Sequence, residues 1–113
     1  MQDNYEFLLK KRRDWYFKLG SRFYECVNAD VVFDASGFRH LTYNGYGNPR
    51  NKSDQLRRLH LITHAPTVLE IGSMMQRNRN GDLFYAVSAK VKGINITVIL
   101  KDLQKYLLFW SVQ

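Results

Sequence analysis

The sequence predicts one α+β domain in which amino-terminal helices precede a four-stranded antiparallel sheet with one inserted helical segment. Apolar residues recur at helical spacing near the amino terminus, whereas apolar and polar residues alternate in three segments near the carboxy terminus. The chain has 113 residues and 45% hydrophobic content, which is enough for a single modest core. We therefore expect no second domain, with a helical part over residues 1–29 and a sheet-containing core over residues 30–113.

The first predicted element is a helix that Asn4 caps and that ends or breaks at Gly20. Its apolar stripe, with a spacing of about 3.6 residues, consists of Tyr5, Leu8, Trp15, Leu19 and Phe23. Four consecutive basic residues, Lys10 to Arg13, fall inside this helix. Because consecutive residues point all round a helix, we interpret them mainly as solvated surface, with a nuclear-localisation or nucleic-acid role as the alternative.

A short strand, Val31 to Phe33, is predicted next and supplies the fourth strand of the sheet. Beyond it, Thr42 to Lys52 are too rich in Gly, Asn and Pro for regular structure and indicate an exposed loop. Tyrosines and cations in and after this loop can stack on bases and pair with phosphates. The predicted RNA-binding residues are Tyr43, Tyr46, Arg50, Lys52 and Arg57, together with Phe109 near the carboxy terminus.

The inserted helical segment begins at Ser53, which is a favourable cap, and Pro66 limits or kinks it. Thr67 to Met75 are predicted to form another short helix. Residues 76–82 then form a polar turn into the sheet.

Three strands end the chain: Phe84 to Val91, Ile94 to Lys101 and Lys105 to Gln113, with a tight turn at Lys92-Gly93. Alternation assigns one face to the core. The other face gathers hydroxyls, cations and one aromatic residue, namely Ser88, Lys90, Thr97, Ser111 and Phe109. Such a face suits phosphate recognition, and the alternative is an ordinary solvated face of an antiparallel sheet.

The composition favours a nucleic-acid partner. Lys and Arg number 17 against 10 Asp and Glu, which gives a formal charge of +7, and 14% of the residues are aromatic. Excess charge can also serve solubility alone.

The single cysteine, Cys26, excludes an intrachain disulfide. No long apolar run or signal-peptide pattern is present, so we expect a soluble chain without membrane contact.

Histidines are the candidate proton-transfer groups. His40 follows Arg39 before the basic loop, and a histidine can exchange a proton near neutral pH while adjacent cations stabilise phosphate charge. The alternative is a histidine that caps a turn or packs under the loop. His60 and His64 are four residues apart, but no third metal ligand is near them in sequence, so we expect no metal site and no cofactor.

Several segments resemble the barnase, EndoU, colicin and RelE-like nuclease superfamily, most closely its phage-associated and polymorphic-toxin branches. The resemblance covers Asp30 to Gln113 and is carried by Gly37-Phe38-Arg39-His40-Leu41, the helix Ser53 to Leu59, the hairpin Phe84 to Leu100 and the closing Phe109-Trp110-Ser111-Val112. It implies a metal-independent ribonuclease toxin that uses the RNA 2'-hydroxyl as nucleophile and leaves a cyclic phosphate. It also implies an immunity protein or antitoxin, which we expect to be acidic.

By position, the resemblance makes His40 the acid-base histidine and Arg39 its basic neighbour. Ser111 corresponds to the hydroxyl of the last strand, with Thr97 or Ser88 as second hydroxyls and Lys90 as a charge-stabilising cation. No second histidine completes a pair, so the general acid is unassigned.

The substrate would be tRNA or another cellular RNA in the cytoplasm, in a target cell if the domain is delivered within a larger protein. The alternatives are a non-catalytic nucleic-acid-binding module and a phage structural component.

Overall fold

A computed structural model describes residues 2–79 and 81–113. Four α-helices and six β-strands lie in these ranges. In chain order they are α1 (Gln2–Phe17), β1 (Ser21–Tyr24), β2 (Ala29–Val32), α2 (Ala35–Thr42), α3 (Lys52–Leu61), α4 (Ala65–Ile71), β3 (Ser73–Arg79), β4 (Asp82–Val91), β5 (Ile94–Asp102) and β6 (Leu107–Val112). A single 3₁₀ turn, Ile62–His64, joins α3 to α4, and Pro66 sits in the first turn of α4, where its missing N–H costs nothing. None of the described helices is long and apolar enough to cross a membrane.

The strands form one mixed sheet in the order β1-β2-β6-β5-β4-β3. The neighbours β2 and β6 run parallel, and the other neighbouring pairs are antiparallel. The prediction of a four-stranded antiparallel sheet is therefore wrong. The fold is α+β, but the sheet has six strands and contains a parallel pair.

The two additional strands lie where the sequence predicted other structure. The first helix ends at Phe17, and Gly20 adopts a left-handed conformation (φ 59°), after which β1 pairs with β2. Ser73 to Arg79, predicted as the end of a helix and a polar turn, form the edge strand β3 paired with β4. Every residue of β3 is exposed, so this strand has no buried face to produce apolar alternation.

Most of the core lies between the sheet and the helices. Val87, Val98, Leu100 and Phe109 share one sheet face by register and are fully buried. Helix α2 packs on β6, and α4 packs on β4 and β5. Tyr16 of α1 completes this core. Burial of each such large side chain contributes about 1.5–3 kcal/mol, so the packing that holds α2 against β6 is a substantial part of the stability.

A β-bulge in β6 changes the predicted faces of the last strand. Ser111 pairs with Ile99 and Phe109 with Leu100, which leaves Trp110 as an extra residue between them. Strict alternation assigned Phe109 to the polar face with Ser111, but the extra residue turns Phe109 into the core, where it is fully buried. The assignment of Phe109 to an RNA-binding face is therefore wrong. The Lys92-Gly93 turn is confirmed, since both residues have positive φ angles (51° and 79°).

Candidate active site

A cleft of about 620 Å³ lies between the loop that follows α2 and the strands β3 to β6. Its charge is strongly positive, because four arginines and one carboxylate, Asp82, line it. The arginines are Arg50, Arg58, Arg77 and Arg79. His40, Tyr46, Trp110 and Ser111 also line the cleft. Cations, an imidazole and hydroxyls in one concave site can together bind a phosphate, move a proton and stabilise developing negative charge.

His40 lies in the last turn of α2, where its ring nitrogen Nδ1 is 3.0 Å from the carbonyl oxygen of Trp110. A carbonyl only accepts hydrogen bonds, so in the neutral ring Nδ1 carries the proton and Nε2 carries the free lone pair. The ring also packs on the Trp110 indole at a centroid distance of 4.3 Å. These two contacts fix the ring orientation and leave Nε2 as the proton acceptor.

The half-buried position of His40 favours its neutral form. Burial lowers the pKa of His40, the charges of Arg50 and Arg39 lower it further, and the Trp110 carbonyl and Asp34 oppose this shift. The net change is downward from the usual value of about 6.5. At neutral pH the imidazole is therefore unprotonated and can act as a base.

The approach of α2 to β6 determines where His40 lies. Asp34 caps α2 by accepting a hydrogen bond from the Gly37 N–H (3.1 Å), and the Tyr16 hydroxyl donates to the Asp34 carbonyl (2.7 Å). At Gly37 the helix comes so close that an added Cβ would lie 2.7 Å from both the carbonyl oxygen and a ring carbon of Phe109. His40 follows one turn later and reaches the strand at the bulge.

Asp54 of α3 pairs with three arginines, two of which, Arg50 and Arg58, line the cleft. Its carboxylate is 3.3 Å from Arg50, 2.9 Å from Arg57 and 3.2 Å from Arg58. Burial raises the pKa of Asp54, but hydrogen bonds from Arg57 and the charge of Arg58 outweigh this effect, so the net pKa is lowered and the carboxylate is ionised at neutral pH.

Two of these arginines connect α3 to the rest of the site. The Arg50 Nε donates to the His40 carbonyl at 2.9 Å. Arg58 is only 9% exposed and donates from Nη1 to Ser111 Oγ (3.0 Å) and to the Val112 carbonyl (2.8 Å). Both guanidinium groups are therefore held in position before any ligand binds.

The opposite wall is the edge strand β3, which contributes Arg77 and Arg79. These side chains are exposed, and no carboxylate in residues 4–79 and 81–113 forms a salt bridge with either of them. Their charges are available to an anionic ligand. Within the same residues no group of three or more His, Cys, Asp or Glu side chains could hold a metal ion.

Of the predicted catalytic residues, the structure brings His40 and Ser111 together in the cleft. Ser88, Lys90 and Thr97 were predicted to share it, but none of the three lines the cleft. Ser88 and Thr97 form a hydrogen bond with each other (2.8 Å) at its border, since Thr97 lies two residues, about 7 Å, beyond the lining residue Ile99. Lys90 lies about 20 Å beyond Phe84.

The remaining predicted residues divide between two places. Tyr46 and Arg50 line the cleft, whereas Arg39, Tyr43 and Lys52 line a second depression on the other side of the same loop. Arg57 is exposed and paired with Asp54.

Arg58, Arg77, Arg79 and Trp110 are the site residues that sequence reasoning missed. Arg77 and Arg79 are two residues apart, which is the spacing of one strand face, but the surrounding polar residues favoured a turn. Arg58 follows Arg57 and looks equally exposed in sequence. Trp110 was assigned to the apolar row, because a bulge leaves no mark in simple alternation.

Comparisons of this chain with protein families, with curated proteins and with solved structures found no match. The resemblance to the nuclease superfamily therefore stays a prediction.

Proposed function

We propose that this protein is a metal-independent endoribonuclease and that the arginine-lined cleft binds the phosphodiester to be cleaved. The observation that carries the proposal is His40: a neutral imidazole whose Nδ1 is held by the Trp110 carbonyl, in a residue that lines the same cleft as four arginines. A neutral base beside fixed cations suits attack by a hydroxyl on a phosphate.

In the proposed reaction, His40 Nε2 removes the proton from a ribose 2'-hydroxyl. The 2'-oxygen attacks the adjacent phosphorus, the new O–P bond forms, and the bond from phosphorus to the 5'-oxygen breaks. The products are a 2',3'-cyclic phosphate and a 5'-hydroxyl, whose proton comes from water or from the Tyr46 hydroxyl at the cleft. No oxidant, reductant or metal ion takes part.

The arginines have two roles in this proposal. Arg50 and Arg58 are anchored by Asp54 and by backbone carbonyls, so they present charge to the pentavalent phosphate without reorganisation. Arg77 and Arg79 are exposed and capture the flanking phosphates. Ser111 Oγ accepts a hydrogen bond from Arg58, which favours a role in positioning that guanidinium.

Incubation of the purified protein with total RNA and excess chelator tests this function. We expect discrete fragments with cyclic phosphate ends, and we expect the His40→Gln variant to produce them at least about a hundredfold more slowly at the same protein concentration. The matched control is His60→Gln, because His60 is exposed on α3 and does not line the cleft.

A non-catalytic nucleic-acid-binding module is the second candidate, and the positive charge of the cleft favours it equally. It predicts salt-dependent RNA binding by both the wild type and His40→Gln, with no fragments from either. Fragments that require added Mg²⁺ or Zn²⁺ would instead contradict the metal-independent mechanism.

An acidic inhibitor protein is the partner that the proposed function requires in a cell that makes this enzyme. Carboxylates would pair with Arg77 and Arg79, which have no carboxylate partner in the described part of the chain. Electrostatic complementarity of this kind mainly accelerates association. We propose the cytoplasm, where RNA is abundant, as the place of action.

A further inference from the structure

A second depression, of about 580 Å³, lies on the other side of the loop from the cleft. Helices α1, α2 and α3 surround it. We call it the helix groove and define it by six of its lining residues: Tyr5, Arg13, Phe17, Phe38, Arg39 and Lys52. The ribonuclease chemistry proposed above does not use it.

The helix groove is basic, and each of its three cations lies over an aromatic ring. Lys52 Nζ is 3.5 Å from the ring centroid of Tyr5, Arg39 Cζ is 4.3 Å from that of Tyr43, and Arg13 Cζ is 5.7 Å from that of Phe38. Glu6 is the one carboxylate among the lining residues. Within residues 4–79 and 81–113 none of the three cations forms a salt bridge, in contrast to the arginines on Asp54.

The aromatic residues of the helix groove indicate which class of ligand it binds. Phe17 is 47% exposed, so its ring is available for stacking, whereas Phe38 is only 6% exposed and packs against Phe17 at a centroid distance of 6.1 Å. An acidic protein segment would need the cations but not the exposed ring of Phe17. A single-stranded nucleic acid uses both, since its phosphates pair with cations and its unpaired bases stack on aromatic faces. A duplex cannot offer its base faces in this way.

The groove and the cleft lie close enough for one strand to occupy both. Arg39 lines the groove and His40 lines the cleft, and consecutive Cα atoms are only about 3.8 Å apart. The loop between the two sites is held by the Tyr43–Pro49 bridge and by a hydrogen bond from the Arg50 N–H to the Thr42 carbonyl (2.8 Å). These contacts hold the two ends of the loop together, and the loop supplies lining residues to both sites.

We propose that the helix groove binds the nucleotides that flank the scissile bond, so that the substrate is single-stranded RNA. The inference rests on the proposed ribonuclease function for its link to cleavage. Binding in the groove is measurable without cleavage, because RNA with 2'-O-methyl groups lacks the attacking hydroxyl.

The test measures binding of a fluorescent 2'-O-methyl strand of about ten nucleotides, a length within the usual range for single-strand sites. Phe17→Ala is compared with Phe7→Ala, which changes another exposed ring of α1 that lies outside the groove. Arg13→Gln is compared in the same way with Lys10→Gln. Phe17→Leu keeps apolar contacts with the core but removes the aromatic face, and thermal melting shows that each variant folds.

We expect Phe17→Ala and Phe17→Leu to raise the Kd about fivefold or more, as loss of a stacking ring does. Arg13→Gln should reduce the slope of log K against log salt by about 0.7. The proposal is overturned if Phe17→Ala and Phe7→Ala bind alike, or if a duplex of equal length binds as tightly. It is also overturned if polyglutamate binds in a way that needs Arg13 but not Phe17, the result expected of a site for an acidic protein.

The same measurements distinguish failure of the ribonuclease proposal from failure of the groove proposal. If the wild type binds the strand through Phe17 but leaves unmodified RNA intact, the ribonuclease proposal is overturned. The proposal that the helix groove binds single strands then stands. If the Phe17 variants cleave both dinucleotide and long substrates as fast as the wild type does, the ribonuclease proposal stands. The proposal that the helix groove binds RNA is then overturned.

Discussion

His40 sets the pH dependence expected of the proposed reaction. Only the unprotonated imidazole can accept the 2'-hydroxyl proton, and burial lowers the pKa of His40 below about 6.5. We therefore predict that kcat/KM stays high at neutral pH and falls only as the pH drops below about 6.5. A fluorogenic oligoribonucleotide assayed across pH would measure this, with a loss of roughly 100- to 10,000-fold for His40→Gln.

The same shift gives a stability signature. Because the unfolded chain binds the proton more readily than the folded one, the stability contributed by His40 is complete above about pH 6.5 and is lost as the pH falls through the lower folded pKa. His40→Gln should remove this dependence from thermal unfolding. An acid limb in kcat/KM above pH 6.5, or one that survives in His40→Gln, would show that another group is the base.

Arg58 is a structural residue as well as a source of charge. It is almost fully buried and bonds to Asp54, Ser111 and the Val112 carbonyl, so Arg58→Ala takes this donor from Ser111 Oγ and the Val112 carbonyl and leaves Asp54 with two of its three arginine partners. We predict that its free energy of unfolding falls by about 2–3 kcal/mol, measured by urea denaturation. The adjacent Arg57→Ala removes an exposed contact to the same carboxylate and should cost about 1 kcal/mol or less. Equal losses in both variants would contradict the buried role of Arg58.

At the scale of elements, the contact between α2 and β6 brings His40 to the bulge. A methyl group at Gly37 would lie 2.6 Å from the Tyr16 hydroxyl and 2.7 Å from Phe109, so Gly37→Ala must push the helix from the strand. We predict a loss of about 1–3 kcal/mol in stability, with slower cleavage in the fraction that stays folded. Gly45→Ala is the matched control for stability only, since its added Cβ meets nothing within 4 Å but Gly45 itself lines the cleft. Normal activity in folded Gly37→Ala would mean that the helix contact does not position His40.

The elements that could be predicted from the sequence are those in which packing against neighbouring strands produces a visible alternation of apolar and polar residues. The β4-β5 hairpin was predictable, because both strands bury one face and Lys92-Gly93 suits a tight turn. The edge strand β3 was not, since it buries no residue along its length. The register change at Trp110 was also hidden, because a bulge depends on packing between strands that are distant in sequence. His40, Ser111, Tyr46 and Arg50 could be selected from sequence, but the arginines of β3 required the fold.

At the scale of the whole molecule, seven of the 17 basic residues line two neighbouring depressions. Arg77 and Arg79 border the cleft, and Arg13, Arg39 and Lys52 border the helix groove. A single strand that contacts four to five of these cations releases counterions in proportion. We therefore predict a slope of log K against log salt of about −2.8 to −3.5, which weakens binding about 50- to 130-fold between 50 and 200 mM salt.

Charge placement, rather than net charge, should determine this slope. The double variant Arg77→Gln with Arg79→Gln removes two predicted phosphate contacts and should make the slope shallower by about 1.4. The control, Lys10→Gln with Lys11→Gln, removes the same net charge from an exposed part of α1 that lines neither depression, and it should leave the slope unchanged. If the two double variants change the slope equally, RNA is attracted by the electrostatic field of the whole molecule and not by a defined binding path. The positive charge then serves nonspecific association or solubility.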